Sequence, residues 1–331
     1  MQSARESLPK VSIMIATYNQ ERFISEAIES AMAQDYPNLQ IVVCDDCSRD
    51  RTYKVAKRYE QMDPRVKVFR NEHNLGRVRN YHHLLYDLAD GEWCVMLDGD
   101  DYYIDNSFIT SCINAIERVK SQKVVACFAG FARYECERKR EFRKIPEECL
   151  VDGREAFMIF PESWLNHGSL LYKRKTAIDV FGYTDDTLYA DAALFLKLCL
   201  VGDIYYVPRC VYVWRIHDKN ESVTHLSFQQ LEQYEKLWNT VGKFAERVNF
   251  VDIKSWRTRQ ICEQAKSVFI YAALHEDYKS RLRLLKHVWR KYPLAFSSVE
   301  TLLTAIAMIL LPKGIFYFAK GVYAVLRGKT Q

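Results

Sequence analysis

The stretch "VMLDGDDYY", Val95 to Tyr103, sets three carboxylates, Asp98, Asp100 and Asp101, directly behind a short apolar run. Like charges this close repel and raise one another's pKa, so the arrangement is costly unless a cation shares it. Hard oxygen donors suit Mg²⁺ or Mn²⁺, and Mg²⁺ usually sits on one or two carboxylates while bridging to the phosphates of a substrate. The cluster therefore points to a metal-bound phosphate compound. An isolated D-x-D-D also occurs as a plain acidic turn in water, so the surrounding pattern has to decide.

Working outward, the residues before this stretch alternate regularly. "VSIMIAT" from Val11 is a short β-rich run, and Glu21 to Ala33 follows with Ile24, Ala27, Ile28 and Ala31 on one helical face, ended by Pro37. "LQIVVCD" reads as a second strand, Thr52 to Tyr59 as a second helix, "VKVFRN" as a third strand, Asn80 to Leu88 as a third helix and "WCVML" as a fourth strand. Strands and helices alternating at this spacing predict right-handed crossovers and a largely parallel sheet, an α/β fold with helices on its flanks. Such sheets bind ligands at the carboxyl ends of their strands. Asp45 and Asp46 follow the second strand, Asp98, Asp100 and Asp101 the fourth, and "ATYNQ" with Thr17, Tyr18 and Asn19 the first. All are expected at one edge, and several polar loops at one edge make a site where a single loop does not.

Beyond Asn106 the alternation loosens. Ser107 to Val119 reads as a helix, "VVACFAGFA" as a buried strand, and Arg138 to Glu148 as a charged, exposed loop. Then come "SWLNHGSLLYK", a helix from Asp191 to Val201, and the strands "DIYYVP" and "VYVWRIHD". From Leu226 the pattern turns helical, with helices expected over 228–241, 253–274 and 280–289. The expected division is therefore 8–225, split into 8–105 and 106–225, followed by a helical extension over 226–331.

The final segment, "TLLTAIAMILLPKGIFYFAKGVYAVLRGK", is interrupted by Pro312, Lys313 and Gly314, and neither half reaches the roughly 20 apolar residues of a spanning helix. Lys279, Arg281, Arg283, Lys286, Arg290 and Lys291 precede it, and such a mixture suits a helix lying in the headgroups of an anionic leaflet. Docking on the protein's own core or on a second subunit fits the same residues.

Composition narrows the class. Of 331 residues, 49% are apolar and 13% aromatic, a profile that excludes a disordered chain, and a formal charge of +5 is too small to indicate nucleic-acid binding. Most of the ten cysteines lie in apolar runs such as "VVACFAG" and read as buried thiols of a reducing compartment. Cys44 and Cys47 form a lone C-x-x-C without the second pair that zinc would need. "MQSARESLPK" lacks the apolar core of a signal peptide, so a cytoplasmic location is expected. An EF-hand is excluded, because its sixth position would be Tyr103 instead of Gly and its twelfth Ile109 instead of an acid.

Three ordered stretches, "VSIMIATYNQERFISEAIESAMAQDYPNLQIVVCDDCSRDRT", "NLGRVRNYHHLL" and "GEWCVMLDGDDYY", resemble the GT-A glycosyltransferases of family 2 over roughly the first 110 residues. The resemblance implies a Rossmann-like, nucleotide-sugar-dependent enzyme whose D-x-D loop holds Mg²⁺ or Mn²⁺ against the donor diphosphate. Asp100 would be the leading metal ligand, Asp98 would face the ribose or reach the metal through water, and Asp101 would be their neighbour. Ala16, Thr17 and Tyr18 would line the nucleoside pocket, Asp46 would accept a hydrogen bond from the base, and Arg79 would approach the phosphates, with Arg77 close by. "YADAALFLKL" resembles the family's acidic residue at a helix start, so Asp191 becomes the base; relatives often carry Glu-Asp there, whereas this chain has Ala190-Asp191. His217 matches a histidine near the diphosphate, His167 and Ser169 fall where relatives build the wall between donor sugar and acceptor, and Trp164 nearby would stack on a sugar face.

The activity so implied is a single inverting displacement from a nucleotide-sugar, UDP-linked as the commonest case, to a hydroxyl of a lipid-linked or surface-polysaccharide glycan. The enzyme would be peripheral on the cytoplasmic membrane face and would have no nucleic-acid partner; its oligomeric state is open. The missing acid at Ala190 keeps a second reading in view, a catalytically inactive nucleotide-sugar-binding or partner-binding subunit of the same fold.

Overall fold

The computed structural model describes residues 8–119, 121, 123–135, 138–143, 145, 147–159, 166–217 and 227–311. Trp164 and the stretch from Pro312 onward lie outside the described residues. The chain divides into two compact units at Lys219/Asn220, a few residues before the expected boundary.

The first unit runs β1 (Val11–Thr17), α1 (Ile24–Met32), β2 (Leu39–Asp45), α2 (Thr52–Met62), β3 (Val66–Arg70), α3 (Arg77–His83) with a π-helical turn (Leu84–Leu88), β4 (Trp93–Asp98) and β5 (Tyr102–Tyr103). It continues with α4 (Phe108–Val119), β6 (Val124–Glu135), β7 (Arg138–Arg143), β8 (Cys149–Val151), α5 (Gly153–Met158), a 3₁₀ turn (His167–Ser169), β9 (Leu170–Lys173), α6 (Arg174–Asp179), α7 (Ala190–Cys199) and β10 (Asp203–Arg215). One mixed sheet has the order β3-β2-β1-β4-β9-β6-β10-β5, with β7 paired to β6 and β8 to β10. Strands β3, β2, β1 and β4 are mutually parallel, and β6 is parallel to β10. Strand β9 is antiparallel to both β4 and β6 and joins the two parallel groups.

Every residue of β1 is buried, as expected for a central strand covered on both faces. Helix α1 buries Ile24, Ala27, Ile28 and Ala31, the i, i+3, i+4, i+7 stripe of an amphipathic helix, and it ends at Met32 well before Pro37. Residues Arg138–Arg143, expected as a loop, form β7 instead, because antiparallel pairing with β6 outweighs their low strand propensity. The two expected strands "DIYYVP" and "VYVWRIHD" are one strand, β10. Its register on β6 shifts between Val207 and Cys210, around Pro208, which has no N–H to give the ladder. Cys44, Cys94, Cys112, Cys127 and Cys199 are buried free thiols.

The pairing Thr17 with Asp45 and Ala16 with Asp98 sets the carboxyl ends of β2, β1 and β4 level. The three loops that follow these strands therefore emerge at one edge.

The second unit consists of α8 (Ser227–Arg247), α9 (Ile253–His275), α10 (Tyr278–Lys291), a 3₁₀ turn (Pro293–Ser297) and α11 (Val299–Leu310). Its core holds Trp256, Phe269, Val268 and Leu284, with Ala305 and Met308 from α11. Buried Arg281 donates to three carbonyls, Ala273 O at 2.6 Å, Glu276 O at 3.1 Å and Met308 O at 3.0 Å. A cation thus meets the negative ends of α9 and α11. No helix among the described residues is long and apolar enough to cross a membrane.

Candidate active site

The acidic loop folds tightly onto β1. Gly99 N donates to Ala16 O at 2.9 Å. A Cβ at residue 99 would lie 2.6 Å from Gln20 Oε1 and 2.8 Å from both Thr17 Cβ and Oγ1, so only glycine fits between the two acids. Each acid then meets a different partner. Asp98 Oδ1 accepts from the Tyr81 hydroxyl at 2.6 Å, and Asp98 Oδ2 lies 3.1 Å from His167 Nε2. Burial works against the Asp98 charge, but His167, the Tyr81 hydroxyl and the Arg77 charge together hold its carboxyl below the usual range. Burial likewise opposes a charged His167, yet Asp98 draws its pKa upward. The opposite shifts describe an ion pair.

Asp100 Oδ2 lies 2.9 Å from His217 Nε2, and the His217 ring stacks on Phe23 at 5.0 Å and 17°. Asp101 turns toward β10, where Oδ1 accepts from Arg215 N at 2.8 Å and Oδ2 from the Tyr212 hydroxyl. Burial, followed by the charges of Asp100 and Asp98, pushes the Asp101 carboxyl well above the usual range. Arg215 donates through Nη1 to Asp100 O at 2.7 Å and through Nη2 to Glu26, with its guanidinium 4.9 Å from the rings of both Phe23 and Tyr102.

Ligand oxygens of Asp98, Asp100 and Asp101 all lie within 4.8 Å of one another. With His217 beside Asp100, the donor set is carboxylate oxygen plus one imidazole nitrogen, which fits Mg²⁺ and, with the nitrogen included, Mn²⁺. Each oxygen of Asp101 accepts one protein donor, as each oxygen of Asp98 meets one partner.

The loops after β1 and β2 are laced together. Asn19, at φ 54°, receives Arg49 N on Oδ1 at 2.8 Å, and its own N–H reaches Ser48 Oγ at 2.8 Å. Ala16 and Thr17 are buried at the strand end, and Tyr18 is exposed in the loop. Asp45 caps its own turn, with Ser48 N donating to Oδ2 at 3.1 Å. Asp46 Oδ1 accepts from Asn71 Nδ2 and from Leu75 N, both at 2.8 Å, and Oδ2 accepts from Gly76 N at 2.9 Å. Gly76 takes φ 85°, a conformation that glycine reaches without strain. Asp46 is thereby the anchor of the loop that starts α3, and Oδ2 keeps one acceptor direction.

The two neighbouring arginines of α3 sit differently. Arg79 is exposed on α3, whereas Arg77 acts on the charges of both Asp98 and His167 and has its guanidinium 5.7 Å from the centre of the Tyr81 ring. Residues two apart on a helix point about 200° away from each other, so only one of the two can face the loop. Asp191 sits in the first turn of α7, half-buried, and its charge reaches His167 and Tyr183. Ser169 is buried and donates to Asn166 O at 3.0 Å, a local turn bond.

Tyr81, Arg215, Tyr212 and Phe23 had no motif to announce them. Two carried a periodic signal: Tyr81 is four residues after Arg77 on one helix face, and Arg215 shares strand parity with His217.

The sequence pattern of glycosyl transferase family 2 matches residues 12–181. A glycosyltransferase of Rickettsia typhi without an assigned substrate is 28% identical over 249 residues, covering 74% of this chain and 76% of that protein. The Escherichia coli UDP-Glc:α-D-GlcNAc-diphosphoundecaprenol β-1,3-glucosyltransferase WfaP is 31% identical over 121 residues, 37% of this chain and 45% of its own. Among solved structures, Staphylococcus aureus TarS 1-349 in complex with UDP-GlcNAc superposes with a TM-score of 0.58 at 17% identity, covering 91% of this chain and 90% of that one. A Pyrobaculum calidifontis mannosyltransferase in complex with GDP-Man and Mn²⁺ gives 0.54 at 16% identity, covering 92% and 88%. These likenesses show the GT-A fold, and with a family pattern spanning half of its length, this chain belongs to glycosyl transferase family 2.

Proposed function

We propose that the protein is an inverting, metal-dependent transferase that moves a sugar from a nucleotide-sugar, UDP-linked, to a hydroxyl of a lipid-linked or surface-polysaccharide glycan at the cytoplasmic membrane face. One observation carries the reading: Asp98 and Asp100 behind β4 cluster together, and His167, paired with Asp98, also feels the charge of Asp191 from the start of α7. The relatives named for UDP-sugar donors support the choice of nucleotide, and the diphosphoundecaprenol acceptor of WfaP supports a carrier-bound glycan.

In this reading Ala16, Thr17 and Tyr18 line the nucleoside pocket, and Asp46 Oδ2 accepts an N–H from the base while its other bonds hold the 75–76 loop. Asp100 and His217, with Asp98 beside them, would hold a divalent cation that neutralises charge developing on the leaving diphosphate. Arg77 adds positive charge on the same side. The Asp191 carboxylate takes the proton of the acceptor hydroxyl as its oxygen bonds to the anomeric carbon. The bond from that carbon to the diphosphate breaks, the electron pair leaves with the nucleoside diphosphate, and the configuration inverts.

The test is nucleotide release from a panel of UDP- and GDP-sugars with Mn²⁺, Mg²⁺ or chelator, in the wild-type protein and in Asp191→Asn. Release that needs the metal and collapses in the variant is expected. Tight donor binding without turnover on any acceptor would overturn the reading in favour of an inactive binding subunit.

A further inference from the structure

Helix α11 is apolar on two faces and uses one of them. Thr301, Ala305 and Met308 are buried, whereas Leu302, Leu303, Ile306 and Leu310 remain 39%, 60%, 46% and 72% exposed. Trp289 of α10, 60% exposed, stands beside Leu302, Ile306 and Leu310 along a groove of about 430 Å³, and the exposed Lys286 and Arg290 form its rim. An exposed apolar patch of this kind marks an interaction site. Charge says what covers it. Residues 220–331 hold 17 Lys and Arg against nine Asp and Glu, although the whole chain has only 47 against 42, so the preceding residues hold 30 against 33.

We infer that this face of α10 and α11 docks on an anionic lipid surface, with Trp289, Ile306 and Leu310 at the acyl boundary and Lys286 and Arg290 among the phosphate headgroups. Tryptophan suits that boundary, apolar on one side and wet on the other, and basic residues beside an apolar helix face favour an anionic leaflet. A second copy pairing symmetrically would bring the same cationic rim against itself. The chain's own residues 312–331 carry four basic residues and no acid, so they do not neutralise the rim either. The inference rests on the proposed membrane-borne acceptor for its meaning, and on the second unit alone for its physical argument.

The test is flotation of the full chain with vesicles of phosphatidylcholine alone or mixed with phosphatidylglycerol, at low and high salt. Flotation only with the anionic vesicles, reduced by salt, is expected. Lys286→Gln with Arg290→Gln should weaken it roughly thirtyfold. Trp289→Ser with Ile306→Ser should abolish it without lowering the Tm, since both side chains are exposed. Equal flotation with both vesicle types, flotation with neither, variants that float like the wild type, or self-association relieved by Trp289→Ser would each overturn the inference. Nucleotide release is measured in parallel with a soluble acceptor. In the wild-type protein, absent flotation with turnover intact sinks only the docking face, whereas absent turnover with flotation intact sinks only the reading of the site.

Discussion

In the first half of the sheet, residues 8–105, strands β3, β2, β1 and β4 run parallel and end level, so that backbone geometry alone delivers the loops of Thr17, Asp46 and Asp98 to one edge. In the second half, residues 106–217, β9 reverses direction and the contributions are single side chains: His167 on Asp98, His217 on Asp100, Tyr212 and Arg215 on Asp101. The first half places the acids and the second supplies a hydrogen-bonding partner to each. That difference teaches that a short acidic motif is oriented by partners that lie far from it in the sequence. For the proposed reaction, the first half would supply most of the donor's partners, and the second half would add His217 beside Asp100 and the base, Asp191, for the acceptor hydroxyl.

The comparison breaks at once if Asp100→Ala retains activity. Loss of donor binding and a fall in turnover of roughly a thousandfold are expected, read by nucleotide release and by donor-dependent thermal shift in a protein with unchanged circular dichroism. Asp191→Asn sharpens the division: kcat should drop on the order of a hundredfold or more, while the donor still raises the Tm as it does in the wild type. Equal loss of donor binding in this variant would erase the distinction between the halves.

A smaller effect separates two neighbours on α3. Arg77→Ala should raise the KM for donor about tenfold, whereas Arg79→Ala should stay within about twofold; reversed values would restore the assignment that the sequence suggested. The smallest effect lies at a joint between the halves, where Arg209 Nε meets Asp105 Oδ2 at 2.5 Å. Burial opposes the Asp105 charge, but the bond to Arg209 and those from Ser107 hold its pKa below the usual 3.8. A depressed carboxylate adds stability that is fully present above its unfolded pKa and is lost as pH falls through the folded one. Because Arg209 is partly exposed, solvent screening limits the pair to about 1 kcal/mol. Acid unfolding of Asp105→Asn should therefore begin from a lower stability at neutral pH and lose less of it below pH 4; identical curves for the two proteins would remove the joint.

The sequence was legible where local pattern decides. The run Val11–Thr17 and the stripe Ile24, Ala27, Ile28 and Ala31 each carry their period in adjacent residues, and the loops they position follow from chain direction. It was opaque where distant pairing decides. Arg138–Arg143 carries mostly charge and becomes a strand only because β6 offers it a ladder, and the break suggested by Pro208 is absorbed as a register shift inside β10. In the site, Asp98 and Asp100 were visible as a motif, but the commitment of Asp101 to Tyr212 and Arg215 needs residues 111 and 114 positions away. Which of Arg77 and Arg79 lies toward Asp98 depended on the rotation of a helix whose start the sequence placed three residues late.

Asp98 is clasped by a hydroxyl from α3 and an imidazole from the turn before β9, one on each oxygen. A carboxylate steadied from both sides by the protein itself has surrendered its rotational freedom during folding, so a ligand that meets it finds little left to organise. Specificity changes sought at this position should therefore come less readily from replacing the acid than from loosening either clasp, which would let the same group swing toward a differently shaped guest.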